Sequence, residues 1–160
     1  MALNAFFKCE SDLLVRESSE RSITHKLAEH LQAYFPEFKV DCEYNRHGSE
    51  VKRLRNHGEP TTSNDLGVRS VYPDIVVHER GRDSKNVLVI ETKKSSSRQP
   101  HEWDCNKLKE FTGTLFRYEI GLLLVLDLRR MRLSKVQCFK NGKKVAAGIW
   151  TRLKELRYGV

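Results

Sequence analysis

The strongest constraint on how this chain folds is the run Val87-Leu88-Val89-Ile90, followed at once by Glu91-Thr92-Lys93. Side chains of a strand alternate between its two faces, so a strand that is apolar at both parities is covered on both sides. This predicts a central strand with a polar cluster at one end. A second apolar strand precedes it, opened by Asp74, and the polar turn Gly81-Arg82-Asp83-Ser84 joins the two. An unbulged antiparallel pairing about the middle of that turn matches residues whose numbers sum to 165, which sets Asp74 directly across from Glu91. Facing residues share one side of the sheet, with Cβ atoms roughly 4.5–5.5 Å apart. Lys93, two residues beyond Glu91, falls on that side too. Carboxylates at the ends of apolar strands cost free energy unless something charged receives them, and a divalent metal is the expected receiver.

Around this hairpin the chain alternates helical and strand patterns. Ser18 and Ser19 are N-cap candidates for the amphipathic helix ERSITHKLAEHLQAYF, whose Ile23, Leu27, Leu31 and Tyr34 recur at helical spacing. Glu20 shares the face of Ile23 and Leu27, although a first-turn glutamate also serves the helix dipole. Phe38 to Tyr44 alternates as a half-exposed strand, and His101 to Phe116 is expected to form a second helix. Leu108, Phe111 and Leu115 lie on its buried side, flanked by Asp104 and Lys107. Ile120 to Leu126 reads as a buried strand, and Asn141-Gly142 marks a hairpin between Val136–Lys140 and Lys143–Ile149. Residues 1–17 show no clear period and suit a short helix or an arm; residues 151–160 suit a short helix or a tail. Residues 45–71 also lack a period and carry Arg46, Lys52, Arg53, Arg55 and Arg69, which suit either a phosphate backbone or a solvated loop. The pattern predicts one α/β domain over residues 1–160, with a central mixed β-sheet flanked by α-helices and an extra C-terminal β-hairpin.

Composition narrows the function classes. The formal net charge is +8 and the pI about 9.4, a balance that attracts polyanions, nucleic acid first. Cys9, Cys42, Cys105 and Cys138 form no Cys-x-x-Cys pair, which argues against structural zinc and a disulfide framework and for free thiols in a reducing cytoplasm. The N-terminal MALNAFFKCESD lacks a basic region ahead of an apolar core, so no secretory signal is expected. The apolar run Ile120–Leu126 is far shorter than the roughly 18–20 residues of a membrane span, so no membrane partner is expected. The histidines have no mutual spacing that builds a metal site or a triad.

An acid-x-lysine tripeptide alone carries little, since Glu37-Lys39, Glu50-Lys52 and Asp83-Lys85 repeat it without comparable context. With Pro73-Asp74 facing Glu91-Thr92-Lys93 across a hairpin, the chain resembles the PD-(D/E)xK nuclease superfamily, whose fold is restriction-endonuclease-like. A preceding helix that carries Glu20-Arg21 resembles the archaeal Holliday-junction resolvase branch. The element order from Glu20 to Leu126, about two thirds of the chain, matches that family's core, whereas the terminal hairpin and residues 45–71 have no counterpart. The resemblance implies Mg²⁺-dependent hydrolysis of phosphodiester bonds in DNA, with Mn²⁺ able to substitute. Asp74 and Glu91 would hold the metal, joined by the Thr92 backbone carbonyl and by Glu20. Lys93 would orient or deprotonate the attacking water, or steady the developing charge. Lys94, Arg98, Arg53, Arg55 and, from the second helix, Lys107 are the candidate nucleic-acid contacts. Small nucleases of this kind often act as dimers, and the apolar hairpin around Val145 to Trp150 is the candidate interface. Two alternatives stay open: a nucleic-acid-binding module on the same fold that no longer cleaves, and a nuclease directed at RNA.

Overall fold

In the computed structural model the Val87–Ile90 strand lies in the middle of a sheet. The structure describes residues 2–16, 18–47, 50, 51, 53–55 and 68–146, with the side chains of residues 46–70 and 83 left aside. The elements in chain order are α1 (Ala2–Cys9), α2 (Ser11–Val15), α3 (Glu20–Gln32), β1 (Lys39–Cys42) and the short strands β2 (Arg46–His47), β3 (Glu50–Val51), β4 (Arg53–Arg55) and β5 (Val68–Ser70). They continue with β6 (Ile75–Glu79), β7 (Arg82–Lys94), α4 (Glu102–Phe111), β8 (Ile120–Asp127), β9 (Arg132–Lys140) and β10 (Lys143–Val145). Six strands form one mixed sheet in the order β1-β6-β7-β8-β9-β10, in which β7 and β8 run parallel and the other neighbours antiparallel. A parallel pair needs a crossover connection, and α4 supplies it.

Alternation along the strands divides the core in two. Ile75, Val77, Leu88, Ile90, Leu122 and Leu124 pack against α1, α2 and α3, where Phe6, Leu14, Ile23 and Leu27 are buried. Val76, Val89, Leu123 and Val125 pack on the other face against Leu108 and Phe111 of α4, with Phe116 and Tyr118 from the segment after it. All eight residues of β8 are buried, as its continuous apolar run predicts for a strand covered on both faces. The molecule is therefore a mixed α/β structure with helices on both sides of the sheet.

Several expectations are refined. The β6–β7 hairpin is not unbulged: Glu79 pairs with Arg82, so Arg80-Gly81 forms the turn, with Gly81 in the left-handed region at φ 78°. Extra residues on β7 are absorbed where the register shifts near His78, and from Val77↔Leu88 to Ile75↔Ile90 the pairs again sum to 165. The register next to Asp74 and Glu91 is thus the expected one, reached through a different turn. The second helix is shorter than expected. It ends at Phe111 with Thr112 as C-cap, which leaves Leu115 outside it and exposed instead of buried, while Phe116 takes the core position. The leading residues form two short helices that bury Leu3, Phe6 and Leu14. Asn141 and Gly142 make the expected tight turn, both with positive φ, and the hairpin they close extends the main sheet through β9. Lys52, the side chains of Arg46, Arg53, Arg55 and Arg69, and residues 147–160 lie outside the described residues. The candidate dimer interface falls largely among the last of these.

Candidate functional site

The polar end of β7 is gripped from both faces. Even-numbered residues continue the Leu88 and Ile90 side toward α3; odd-numbered ones continue the Val89 side toward α4. On the α4 face Glu91 is 1% exposed, and its Oε2 accepts a hydrogen bond from Lys107 Nζ at 2.6 Å. Lys93 Nζ lies 3.4 Å from Asp104 Oδ2, and Lys107 Nζ lies 3.8 Å from Asp104 Oδ1. The acid–base pair of the strand is therefore matched, in the opposite order, by an acid–base pair one turn apart on the helix. The other Glu91 oxygen, Oε1, is buried and has no hydrogen-bond partner among the described residues.

Electrostatics follow from this burial. Loss of water pushes the Glu91 carboxyl up to about 8, against the pull of Lys107 and with a further push from Asp74. Burial also raises Asp104, offset in part by Lys93 and Lys107. For Lys107, burial disfavours the ammonium, but Glu91, Asp104 and Asp74 outweigh it and hold the group above the ordinary lysine value. Burial therefore favours the protonated form of Glu91.

On the α3 face, Thr92 donates to Asp74 Oδ2 twice, from its N–H at 2.7 Å and from its hydroxyl at 2.8 Å. Asp74 sits at a bend just ahead of β6, where strand alternation no longer dictates direction. Its hydrogen bonds run to Thr92, one residue past Glu91, and it lines a cleft of about 350 Å³ with Glu20, Arg21, Thr24, Cys42 and Glu43. The simple expectation of Asp74 and Glu91 side by side on one face is modified accordingly. Glu91 faces α4 and Asp74 is fastened on the α3 side, close enough that its charge still bears on Glu91, Asp104 and Lys107.

The remaining predicted residues fall in three groups. Glu20, exposed at the start of α3, reaches the same end of β7, where its Oε1 receives a long 3.4 Å contact from the Lys94 N–H. Lys94 is anchored inward, its Nζ donating to the Ser18 carbonyl at 2.6 Å, whereas Arg98 is exposed in the segment between β7 and α4. Lys107 is buried in the charge cluster, against Glu91 and Asp104. The side chains of Arg53 and Arg55 are outside the described residues.

Two residues were not singled out as part of the site: Thr24 and Asp104, buried on the inward faces of their helices. The signal was present, since Asp104 lies four and seven residues before Leu108 and Phe111, and Thr24 lies three and seven before Leu27 and Leu31. A polar residue inside an apolar stripe must find a partner. Among the described residues, no three His, Cys, Asp or Glu side chains are arranged to hold a metal by themselves. All four cysteines are free thiols, and no helix of the described residues is long and apolar enough to cross a membrane. The chain matches no protein-family model, no curated protein and no solved structure.

Proposed function

We propose that this protein is a Mg²⁺-dependent nuclease that hydrolyses phosphodiester bonds in DNA on a restriction-endonuclease-like core. The observation that carries the reading is the buried Oε1 of Glu91, without a hydrogen-bond partner among the described residues, at the end of the central strand where the Asp74 charge bears on it. A buried carboxylate oxygen without a donor is costly, and a hard divalent cation with oxygen preference is the receiver that suits it. The order α3-β1-β6-β7-α4-β8, with β7 and β8 parallel, supports the same reading.

Asp74, from the α3 side, and Glu91, from the α4 side, are the residues that would hold the cation where the strand ends, with Glu20 and the Thr92 carbonyl as additional donors; carboxylates that stay on opposite faces there would refute a shared cation. When bound, a metal there supplies charge neutralisation at a phosphate and lowers the pKa of an attacking water. Lys93, half-buried and 3.4 Å from Asp104, would orient that water or stabilise the charge that develops.

A second reading is a nucleic-acid-binding module that does not cleave. It is favoured by Lys107, which already occupies one oxygen of Glu91. One panel separates the two: plasmid, single-stranded, branched DNA and RNA incubated with Mg²⁺ or Mn²⁺, beside Asp74→Ala and Lys93→Ala proteins. The nuclease reading expects metal-dependent cleavage of DNA that falls at least about 100-fold in each variant. Binding without cleavage in either metal supports the module, preferential RNA cleavage reassigns the substrate, and cleavage that survives both substitutions refutes the assigned residues.

A further inference from the structure

Thr92, between Glu91 and Lys93 in sequence, points to the opposite face of the sheet from both. There its hydroxyl lies 3.0 Å from the Thr24 hydroxyl and 2.8 Å from Asp74 Oδ2. An ionised carboxylate only accepts, so the single Thr92 hydroxyl proton goes to Asp74. Thr92 Oγ1 must then accept from Thr24, and the protons run in one direction, Thr24 to Thr92 to Asp74. Both threonines are buried, at 6% and 3% exposure.

The spacing that makes this chain of bonds is built into two elements. Glu20 and Thr24 are one turn apart on α3, and four helical residues rise about 6 Å. Thr92 and Lys94 are two apart on β7, a rise of about 6.6 Å. The first turn of α3 therefore lies in step with the end of β7: Thr24 meets Thr92 while Glu20 meets the Lys94 N–H. Ser19 fixes where that turn begins, its hydroxyl accepting from the Ser22 N–H at 3.2 Å.

We infer that Thr24 and Thr92 are positioning residues that hold the Asp74 carboxylate in one orientation, with Oδ2 committed to Thr92, so that a cation meets a preset ligand. The inference rests on the proposed metal site and adds to it the means by which α3 controls the aspartate. The two hydroxyls do not touch the reacting atoms; they act through Asp74.

The test is Mn²⁺ binding to the full chain without nucleic acid, by titration calorimetry or by loss of the free-ion EPR signal. Thr92→Val keeps the shape and the backbone N–H but removes the hydroxyl, and is expected to weaken Mn²⁺ binding about tenfold, the usual effect of one hydrogen bond to a charged group. Thr92→Ser restores the hydroxyl and is expected to bind within about twofold of wild type. Thr24→Val, which leaves β7 untouched and serves if Thr92→Val does not fold, is expected to weaken binding about threefold, since it removes a neutral hydrogen bond. In an Asp74→Ala background, Thr92→Val should cause no further loss. Wild-type affinity in both valine variants overturns the inference alone, as does failure of the serine variant to recover. A wild-type chain that binds no Mn²⁺ overturns the metal site and the inference with it.

Discussion

Replacing Glu91 with glutamine isolates the electrostatic state of the strand end. Burial moves the carboxyl from 4.5 to about 8, so the folded chain holds this proton far more tightly than the unfolded one. Between those values the native state carries the extra proton, and stability falls as pH rises through the window, with the loss complete above about 8. At about 1.4 kcal/mol per tenfold in proton affinity, the fall is worth up to roughly 5 kcal/mol. Against a total folding free energy of roughly 5–15 kcal/mol, one carboxyl of this kind governs much of the alkaline stability. Asp104, also raised by burial, adds in the same direction from the acid side. Urea unfolding in EDTA at about pH 5 and about pH 9 should show this loss in the wild-type chain and a much flatter response in Glu91→Gln. The glutamine variant also deprives Lys107 of its closest partner, so the slope with pH, and not the absolute stability, is the quantity to compare. A wild-type chain equally stable at both pH values, or a glutamine variant with the same slope, refutes the reasoning.

Saturating Mn²⁺ should flatten the wild-type pH response, because a cation on Glu91 replaces the proton; melting midpoints that keep the same pH dependence with and without Mn²⁺ count against a cation at this carboxylate. Lys107→Met should cost more at about pH 9 than at about pH 5, because without the pull of Lys107 the Glu91 carboxyl stays protonated where the wild-type group has ionised; one pH unit above 8 the extra cost is about 1.4 kcal/mol. Equal costs would mean that Lys107 contributes packing and not charge. Phe111→Ala should cost about 3–5 kcal/mol, whereas Leu115→Ala should stay within about 0.5 kcal/mol; urea midpoints that rank them the other way would place Leu115 in the core.

The last of these comparisons marks where sequence patterning stops being informative. The central strand was legible because Val87 to Ile90 is apolar at both parities, and β8 because the seven-residue run Ile120–Leu126 admits no solvated face. Asn141-Gly142 was legible because a tight turn with two positive φ values has few other sequences. Leu115 continues the helical period of Leu108 and Phe111, yet the helix has already ended. Thr112 turns its hydroxyl back to the Leu108 carbonyl at 2.8 Å and accepts from the Gly142 N–H at 3.3 Å, a tertiary contact that no local window contains. Phe116 then packs edge-on against Phe111 with ring centres 5.3 Å apart and fills the position that the period assigned to Leu115. At the hairpin tip, Gly81 can take a left-handed φ and so offers a tighter turn than the symmetric one, and β7 absorbs the surplus before the site is reached.

At the site itself, the sequence showed which strand end carries the charge but not how the charges balance. Spacing along a strand assigns faces, and it assigned Glu91 and Lys93 to one face; it says nothing about which helix residues lie across from them. The crossover through α4 brings Asp104 and Lys107 to that face, so each member of the strand pair meets an opposite charge. Were that the whole cluster, it would be neutral and closed. Asp74 breaks the balance, because its charge bears on the same groups: three carboxylates then face two ammonium groups, and Glu20 adds a fourth carboxylate at the rim. The charge is balanced in part by Arg21, which lines the cleft with Asp74 and Glu20, and in part by protons. Burial of Glu91 favours the proton, and under the proposed function a cation would take that proton's place at Oε1, which has no hydrogen-bond partner among the described residues.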